Sequence, residues 1–221
     1  MITIDIVSDT VCPWCFVGKR RLEQVLARQG NSADVRIAWR PFQLNPEMPR
    51  EGADRKTHLR AKFGGDDRLK QAYDAIVEAG KSVEIPFAFD DIERTPNTIN
   101  SHRLIDRAGK TGRQDAVVEV LFRTYFLEGR DIGDIDVLVD VASKAGLDGD
   151  EIRDYLQSDE DVERINAEDK LAREMGIQGV PCFVVNQKYA ISGAQDPAVF
   201  LQVFERIAEE TGQADTEGAT A

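Results

Sequence analysis

Cysteine, histidine and methionine are scarce in this 221-residue chain, which holds three, two and three of them. Three cysteines cannot close a disulfide framework, and a reducing cytosol would not keep one. A structural zinc site wants four ligands, usually from two knuckles. Beyond Cys12 and Cys15 the further thiol and imidazole candidates are Cys182, His58 and His102, with no second C-x-x-C. No apolar run approaches the roughly 20 residues that span a bilayer. The opening "MITIDIVSDT" alternates like a strand rather than running basic and then apolar like a signal peptide. Positive charge is in the minority, with Lys+Arg 28 against Asp+Glu 40 and a net charge of −12. That excess argues against sequence-independent binding to nucleic acid or to an anionic membrane. The expectation is a cytoplasmic globular protein with no metal, nucleic-acid or membrane partner.

What is present is ordinary for a soluble fold: 42% hydrophobic and 31% charged residues, enough for one large domain or one domain carrying another inside it. Ile2, Ile4 and Ile6 alternate with Thr3 and Asp5 and predict a strand. From Pro13 onward Phe16, Leu22, Val25 and Leu26 fall on one side of a helix, with Gly30 as its end. Val35, Ile37 and Trp39 alternate again before Pro41. Two strands joined by a helix form a crossover unit, which puts Cys12 and Cys15 between the first strand and the helix.

From about Asn45 to Ser158 the pattern reads almost wholly helical. A last helix, "EDVERINAEDKLAREMG", leads to "VPCFVV" and "YAISG" around a turn at Asn186-Gln187-Lys188, then to the amphipathic "DPAVFLQVFERIAEE". No repeat period is visible. The predicted class is α/β. Residues 1–45 and 159–212 make one discontinuous domain, 46–158 a helical insertion, and 213–221 a small polar tail expected to be disordered.

The helix N-terminus offers unpaired N–H groups and the positive end of the dipole. A thiolate at Cys12 would be stabilised there, and Cys15, one turn later, could close a disulfide with it. This context favours a redox pair over a packing accident or half of a metal site. Trp14, between the two thiols, is expected to be exposed as a binding surface. In "GIQGVPCFVV" a proline opens a strand, which fits either a sheet edge or a cis peptide. Only about 5–6% of X–Pro bonds in folded proteins are cis, so proline statistics alone favour trans.

Other residues carry paired readings. Asp9 is a strand-end turn former or a proton relay for Cys15. His102 is a satisfied core residue, or it faces the active site with Asn97 or Thr98. Cys182 is a packed small residue or an auxiliary thiol that traps a mixed disulfide. His58 reads as a solvated surface residue. Lys19, Arg20 and Arg21 read as a solvated basic face, with Lys19 close enough to add slightly to thiolate stability.

Together "VSDTVCPWCFVGKRRLE", "RPFQLNPEMP", "TPNTINSHRL" and "GVPCFVVNQKYAISGAQ" resemble the FrnE-type branch of the DsbA-like oxidoreductases. That branch is related to 2-hydroxychromene-2-carboxylate isomerases and kappa-class glutathione transferases. The resemblance implies a thioredoxin fold with a large inserted all-helical domain, Cys12 as nucleophile, Cys15 as resolving thiol, and a cis Val180–Pro181 peptide that presents Val180 to a substrate. Trp14 stands where the best-known DsbA pattern has histidine, which implies a less oxidising pair. The isomerase and transferase relatives carry serine at the position of Cys12, which favours redox chemistry here. The function expected is a thiol–disulfide oxidoreductase or isomerase on protein or small-molecule thiols and disulfides, with no bound cofactor and with glutathione as a candidate co-substrate. The alternatives are a glutathione-dependent isomerase or transferase on an aromatic or polyketide-like molecule, and a chaperone-like binder of unfolded chains. A dimer is one candidate assembly.

Overall fold

Alternation at Ile2–Ser8 builds β1, and helical spacing builds α1 over Pro13–Gln29; β2 follows at Val35–Pro41. These elements belong to a computed structural model that describes residues 1–29 and 35–218. Gly30, the expected end of α1, lies outside the described residues. β1 and β2 pair in parallel, with Ile4 beside Ile37 and Ile6 beside Trp39. The chain returns to this sheet with β5 (Cys182–Val185) and β6 (Tyr189–Ser192), giving the order β2-β1-β5-β6. The turn between them has Asn186 and Gln187 at φ 50° and 55°, and Lys188 N–H donates to Val185 O over 3.0 Å. Two left-handed residues in a row give the turn the positive φ at both central positions that a type I′ turn requires, within a three-residue loop between Val185 and Tyr189.

β5 runs antiparallel to β1 with Val7 beside Cys182. This register carries Pro181, one residue earlier, to the end of β1 where the cysteine loop begins. The sheet is covered by α1 and by α9 (Pro197–Gly218), whose Phe200 meets Phe183 edge-on at 4.9 Å. The tail expected to be disordered from 213 continues this helix in its backbone as far as Gly218. Residues 219–221 lie outside the described residues.

Between β2 and β5 stand α2 (Arg55–Phe63), α3 (Asp66–Lys81), α4 (Ile99–Gly109), α5 (Gln114–Phe126), α6 (Ile135–Lys144), α7 (Gly149–Gln157) and α8 (Val162–Glu174). Asp134 and Asp148 cap α6 and α7, each accepting from two backbone N–H groups of the first turn. The stretch is less helical than its periodicity predicts. Residues 82–98 hold only one short 3₁₀ turn, Phe89–Asp91, and β4 (Arg94–Thr95), which pairs with β3 (Ala53–Asp54). The reason is local. Ile85 N–H folds back to Gly80 O at 2.9 Å, and Phe87 lies so close to Gly80 that a Cβ there would sit 2.7 Å from its ring. Pro86 and Pro96 then deny the segment helical hydrogen bonds.

One apolar core runs from the sheet into these helices. Phe16 of α1 stacks on Phe122 of α5 at 5.1 Å, and Trp39 of β2 meets Phe122 edge-on at 6.3 Å. Val117, Val118, Leu121, Tyr125 and Phe126 complete the buried side of α5.

Candidate functional site

Cys12 ends the loop after β1 and immediately precedes α1. Its N–H donates to Asp9 O at 3.1 Å, and Cys15 N–H donates to Cys12 O at 3.0 Å. The two turns wind the chain into the helix, with Pro13 at the first helical position, where its missing N–H costs nothing. Cys15 is fully buried and Cys12 is 4% exposed. The three cysteines are free thiols. Burial pushes the Cys15 thiol well above its ordinary pKa; the hydrogen bond and charge of Cys12 push the same way. At neutral pH Cys15 is therefore a protonated thiol waiting behind Cys12.

Opposite them lies the loop before β5. The Val180–Pro181 peptide is cis, and the Cys12 thiol donates to Val180 O at 3.5 Å. Gly18 of α1 makes this approach feasible, because a Cβ there would lie 3.0 Å from the Pro181 ring and from Phe183. In front of Cys12 opens a cleft of about 350 Å³, walled by Trp14 and Val180 on one side and by Leu59, Phe63, Tyr73 and Ile76 of α2 and α3 on the other. Its lining is mainly apolar, with Arg55 and Lys62 as its charged members. A thiol pair whose outer sulfur meets an apolar cleft can exchange with a disulfide held there.

The family model for the DSBA-like thioredoxin domain matches residues 3–205. The chain belongs to that family. It is 30% identical to a crystal structure described as a probable DsbA oxidoreductase from Streptomyces coelicolor, covering 95% of this chain and 91% of that one with a TM-score of 0.87. It is 29% identical over 201 residues to the uncharacterized protein YwbO of Bacillus subtilis, covering 90% of this chain and 94% of that one. The cytosolic disulfide reductase DsbM from Pseudomonas aeruginosa, solved with GSH, shares the fold at 17% identity. It has a TM-score of 0.66 and covers 92% of this chain and 99% of its own.

Within this DSBA-like fold several sequence expectations change. Trp14 is not exposed but half-buried, and Cys12 beside it is buried, because α3 packs against α1 and, with α2, leaves only the cleft open. Lys19 is not on a solvated face. It is buried between α1 and α5, with Glu23 as a partner, Asp115 at 3.2 Å and Glu119 at 3.3 Å. Burial pulls its ammonium down, but the three carboxylates outweigh this and hold its pKa above the ordinary value. Its charge is engaged by these carboxylates. His58 is half-buried rather than solvated, and burial, with the charges of Lys62 and Arg55, pushes its pKa down.

Asp9 does more than turn the chain. Its carboxylate is wholly buried, accepts from Leu44 N–H at 2.7 Å through Oδ2, and faces His102 Nε2 at 3.4 Å through Oδ1. His102 is buried behind the cysteine loop, on the first turns of α4, where Ser101 also meets Thr10 at 2.7 Å. Asn97 is not brought to the cysteines: it holds Met48 O at 2.6 Å and receives Ile99 N–H at 2.9 Å. Cys182 points to the other face of the sheet, as strand alternation requires, and packs with Val7, Phe42 and Ala172. Sequence reasoning missed Gly18 and Arg55. Gly18 lies inside the cysteine motif but carries no chemistry of its own, Arg55 lies outside every quoted motif, and only their distance to Pro181 or to the cleft marks them.

Two outcomes follow. Asp9 carries charge that disfavours a Cys15 thiolate, after burial and Cys12. Asp9→Asn keeps a carbonyl acceptor for Leu44 N–H while removing that charge, so Cys15 should ionise at lower pH. The rate of closing the Cys12–Cys15 disulfide from a mixed disulfide should then reach half its plateau at lower pH in the variant; an unmoved or upward-moving profile would contradict the assignment. The Cys182 thiol is buried and its pKa is raised by that burial. Iodoacetamide on the native dithiol at pH 8 should therefore modify Cys12, which opens to the cleft, and leave Cys182 unlabelled by mass spectrometry. Equal labelling would revive Cys182 as an auxiliary thiol.

Proposed function

We propose that this chain is a FrnE-type dithiol–disulfide oxidoreductase of the cytoplasm, with Cys12 as nucleophile and Cys15 as resolving thiol. One observation carries the reading: the Cys12 sulfur meets Val180 O at the floor of the cleft while Cys15 is sealed behind it. In the reducing direction Cys12 thiolate attacks a disulfide held in the cleft. The substrate S–S bond breaks, a Cys12–sulfur bond forms, and the first substrate thiolate leaves and takes a proton. Cys15 then loses its proton and attacks Cys12, which releases the second substrate thiol. Two electrons pass to the substrate and a Cys12–Cys15 disulfide remains. Substrate oxidation is the same sequence reversed.

Val180 and Trp14 position the substrate beside the thiols, with Pro181 excluding an N–H at that point. The thioredoxin-like part, residues 1–45 with 159–212, supplies the sulfurs, and the helical part, 46–158, supplies the far wall of the cleft. The redox group is the cysteine pair itself, recycled by glutathione or by a thioredoxin-type dithiol. The glutathione held by DsbM, a protein of the same fold, supports a small thiol as co-substrate.

The apolar walls of the cleft favour one second reading, a glutathione-dependent isomerase or transferase acting on an aromatic or polyketide-like molecule. A cleft of about 350 Å³ suits such a molecule or a short extended segment better than an unfolded chain held by a chaperone. Equilibration in glutathione redox buffers separates the two enzyme readings. The oxidoreductase should interconvert between dithiol and Cys12–Cys15 disulfide with a two-electron slope of about 30 mV per decade, and reduced protein should cleave the disulfides of insulin. A glutathione adduct on Cys12 at every ratio, with no intramolecular disulfide, would replace this reading with the second.

A further inference from the structure

Arg55 begins α2, directly after β3, and its N–H donates to Glu93 O, beside β4, at 2.9 Å. Its side chain is turned inward and only 7% exposed. Buried cations elsewhere in the molecule are fully engaged. Lys19 has its three carboxylates, and Arg103 donates through all three nitrogens to four backbone carbonyls and Asn100 Oδ1. Arg55 is different. Nη1 donates to Tyr125 Oη at 2.9 Å, and that hydroxyl donates in turn to Arg94 O at 3.0 Å. Nε is buried without a partner, Nη2 makes no hydrogen bond among the described residues, and no carboxylate there pairs with the guanidinium. The rings of Tyr73, Phe89 and Tyr125, 5.7–5.9 Å from the guanidinium carbon, hold it by their faces and fill none of its N–H positions.

With Nε sealed from solvent, Nη2 is the open donor, and it can grip a carboxylate through a charge-assisted hydrogen bond. Arg55 lines the same cleft as Cys12, with Lys62 as a second cation whose Nζ is held by Asn45 at 2.8 Å. We propose that Arg55 makes this cleft a receptor for the carboxylate of a small, otherwise apolar thiol or disulfide, whose sulfur then faces Cys12. The cation fixes one end of the ligand, the apolar walls its body and Val180 the reacting end. That the ligand carries sulfur rests on the oxidoreductase reading; that it carries a carboxylate rests on Arg55 alone.

The test uses two aromatic disulfides and the reduced protein. One, 5,5′-dithiobis(2-nitrobenzoate), bears two carboxylates; the other, 4,4′-dithiodipyridine, bears none. The ratio of second-order rates, carboxylate over neutral, should fall by about tenfold or more in Arg55→Met, the size of one lost charge-assisted contact. A ratio within twofold of wild type overturns the proposal. A second arm needs no variant: benzoate should slow the reaction of wild-type Cys12 with dithiodipyridine, and benzamide at equal concentration should not. Equal protection by both, or by neither, overturns the proposal as well. If wild-type Cys12 reacts with neither disulfide, the oxidoreductase reading fails, while benzoate binding followed by tryptophan fluorescence still decides the carboxylate receptor.

Discussion

Cys12→Ser is expected to abolish disulfide reduction, lowering the rate at least about a thousandfold while leaving the fold unchanged, because a serine hydroxyl neither ionises at neutral pH nor forms a bond to sulfur that a thiol can reopen. The substitution is nearly isosteric, and the contacts it alters, to Val180 O and to the Cys15 thiol, are ones a hydroxyl can also make. Cys15→Ser has a different signature. Cys12 still attacks, but nothing resolves the product, so a mixed disulfide on Cys12 accumulates and is visible by mass. Burial and the raised pKa of Cys15 order the two steps: below its pKa the inner thiol is protonated and cannot compete as first nucleophile. Insulin reduction by wild type and both variants measures this. Retained activity in Cys12→Ser, or a mixed disulfide on Cys15 instead of Cys12, would end the proposed mechanism.

The largest stability effect is expected at Phe122, the side chain that joins the sheet to the helices. Its ring is fully buried, stacked on Phe16 at 5.1 Å, edge-on to Trp39 at 6.3 Å and tilted against Phe126 at 6.1 Å. Removing a buried phenyl group costs about 3–5 kcal/mol, transfer and cavity together. Against a typical unfolding free energy of about 5–15 kcal/mol, that is roughly a fifth of the whole or more. Phe122→Ala should therefore shift the urea midpoint strongly at nearly constant slope. Since Phe16 sits on the helix that carries Cys15 and begins one residue after Cys12, the variant should also react more slowly with disulfides before it unfolds. Tryptophan emission and far-ultraviolet dichroism should report one transition in wild type, because the core is continuous from Trp39 to Phe126. A loss below about 1 kcal/mol would show that the two parts are held together elsewhere, for instance by the Lys19 and Arg20 ion pairs to Glu119.

Much of the fold was legible from periodicity. β1, α1, β2 and the β5–β6 hairpin have local signals, an alternation of two or a spacing near 3.6, and these set backbone conformation whatever surrounds them. The same rule misread residues 82–98, where Phe87 packing on Gly80 and the prolines at 86 and 96 override a helical expectation. It also misread burial. A run such as Lys19-Arg20-Arg21 looks solvated when only its own helix is considered, yet α5 brings Asp115 and Glu119 down onto it. Periodicity tells which side of an element is apolar; it does not tell what another element places against the polar side.

From sequence alone came the thiol pair and the proposal built on it. Two thiols one helical turn apart, at a strand-to-helix junction with proline between them, favour the redox reading over a packing accident or half of a metal site. The sequence could not determine access to those thiols or the company they keep. The pairing of Val7 with Cys182 carries Pro181 to the cysteine loop, Gly18 lets the two approach, and the β3–β4 pair sets Arg55 in the wall of the Cys12 cleft. Those placements join residues some 40 and 170 positions apart in the chain. They are fixed by strand register and by the packing of α3 against α1, interactions whose energy depends on pairs of distant residues and leaves no mark in either stretch alone.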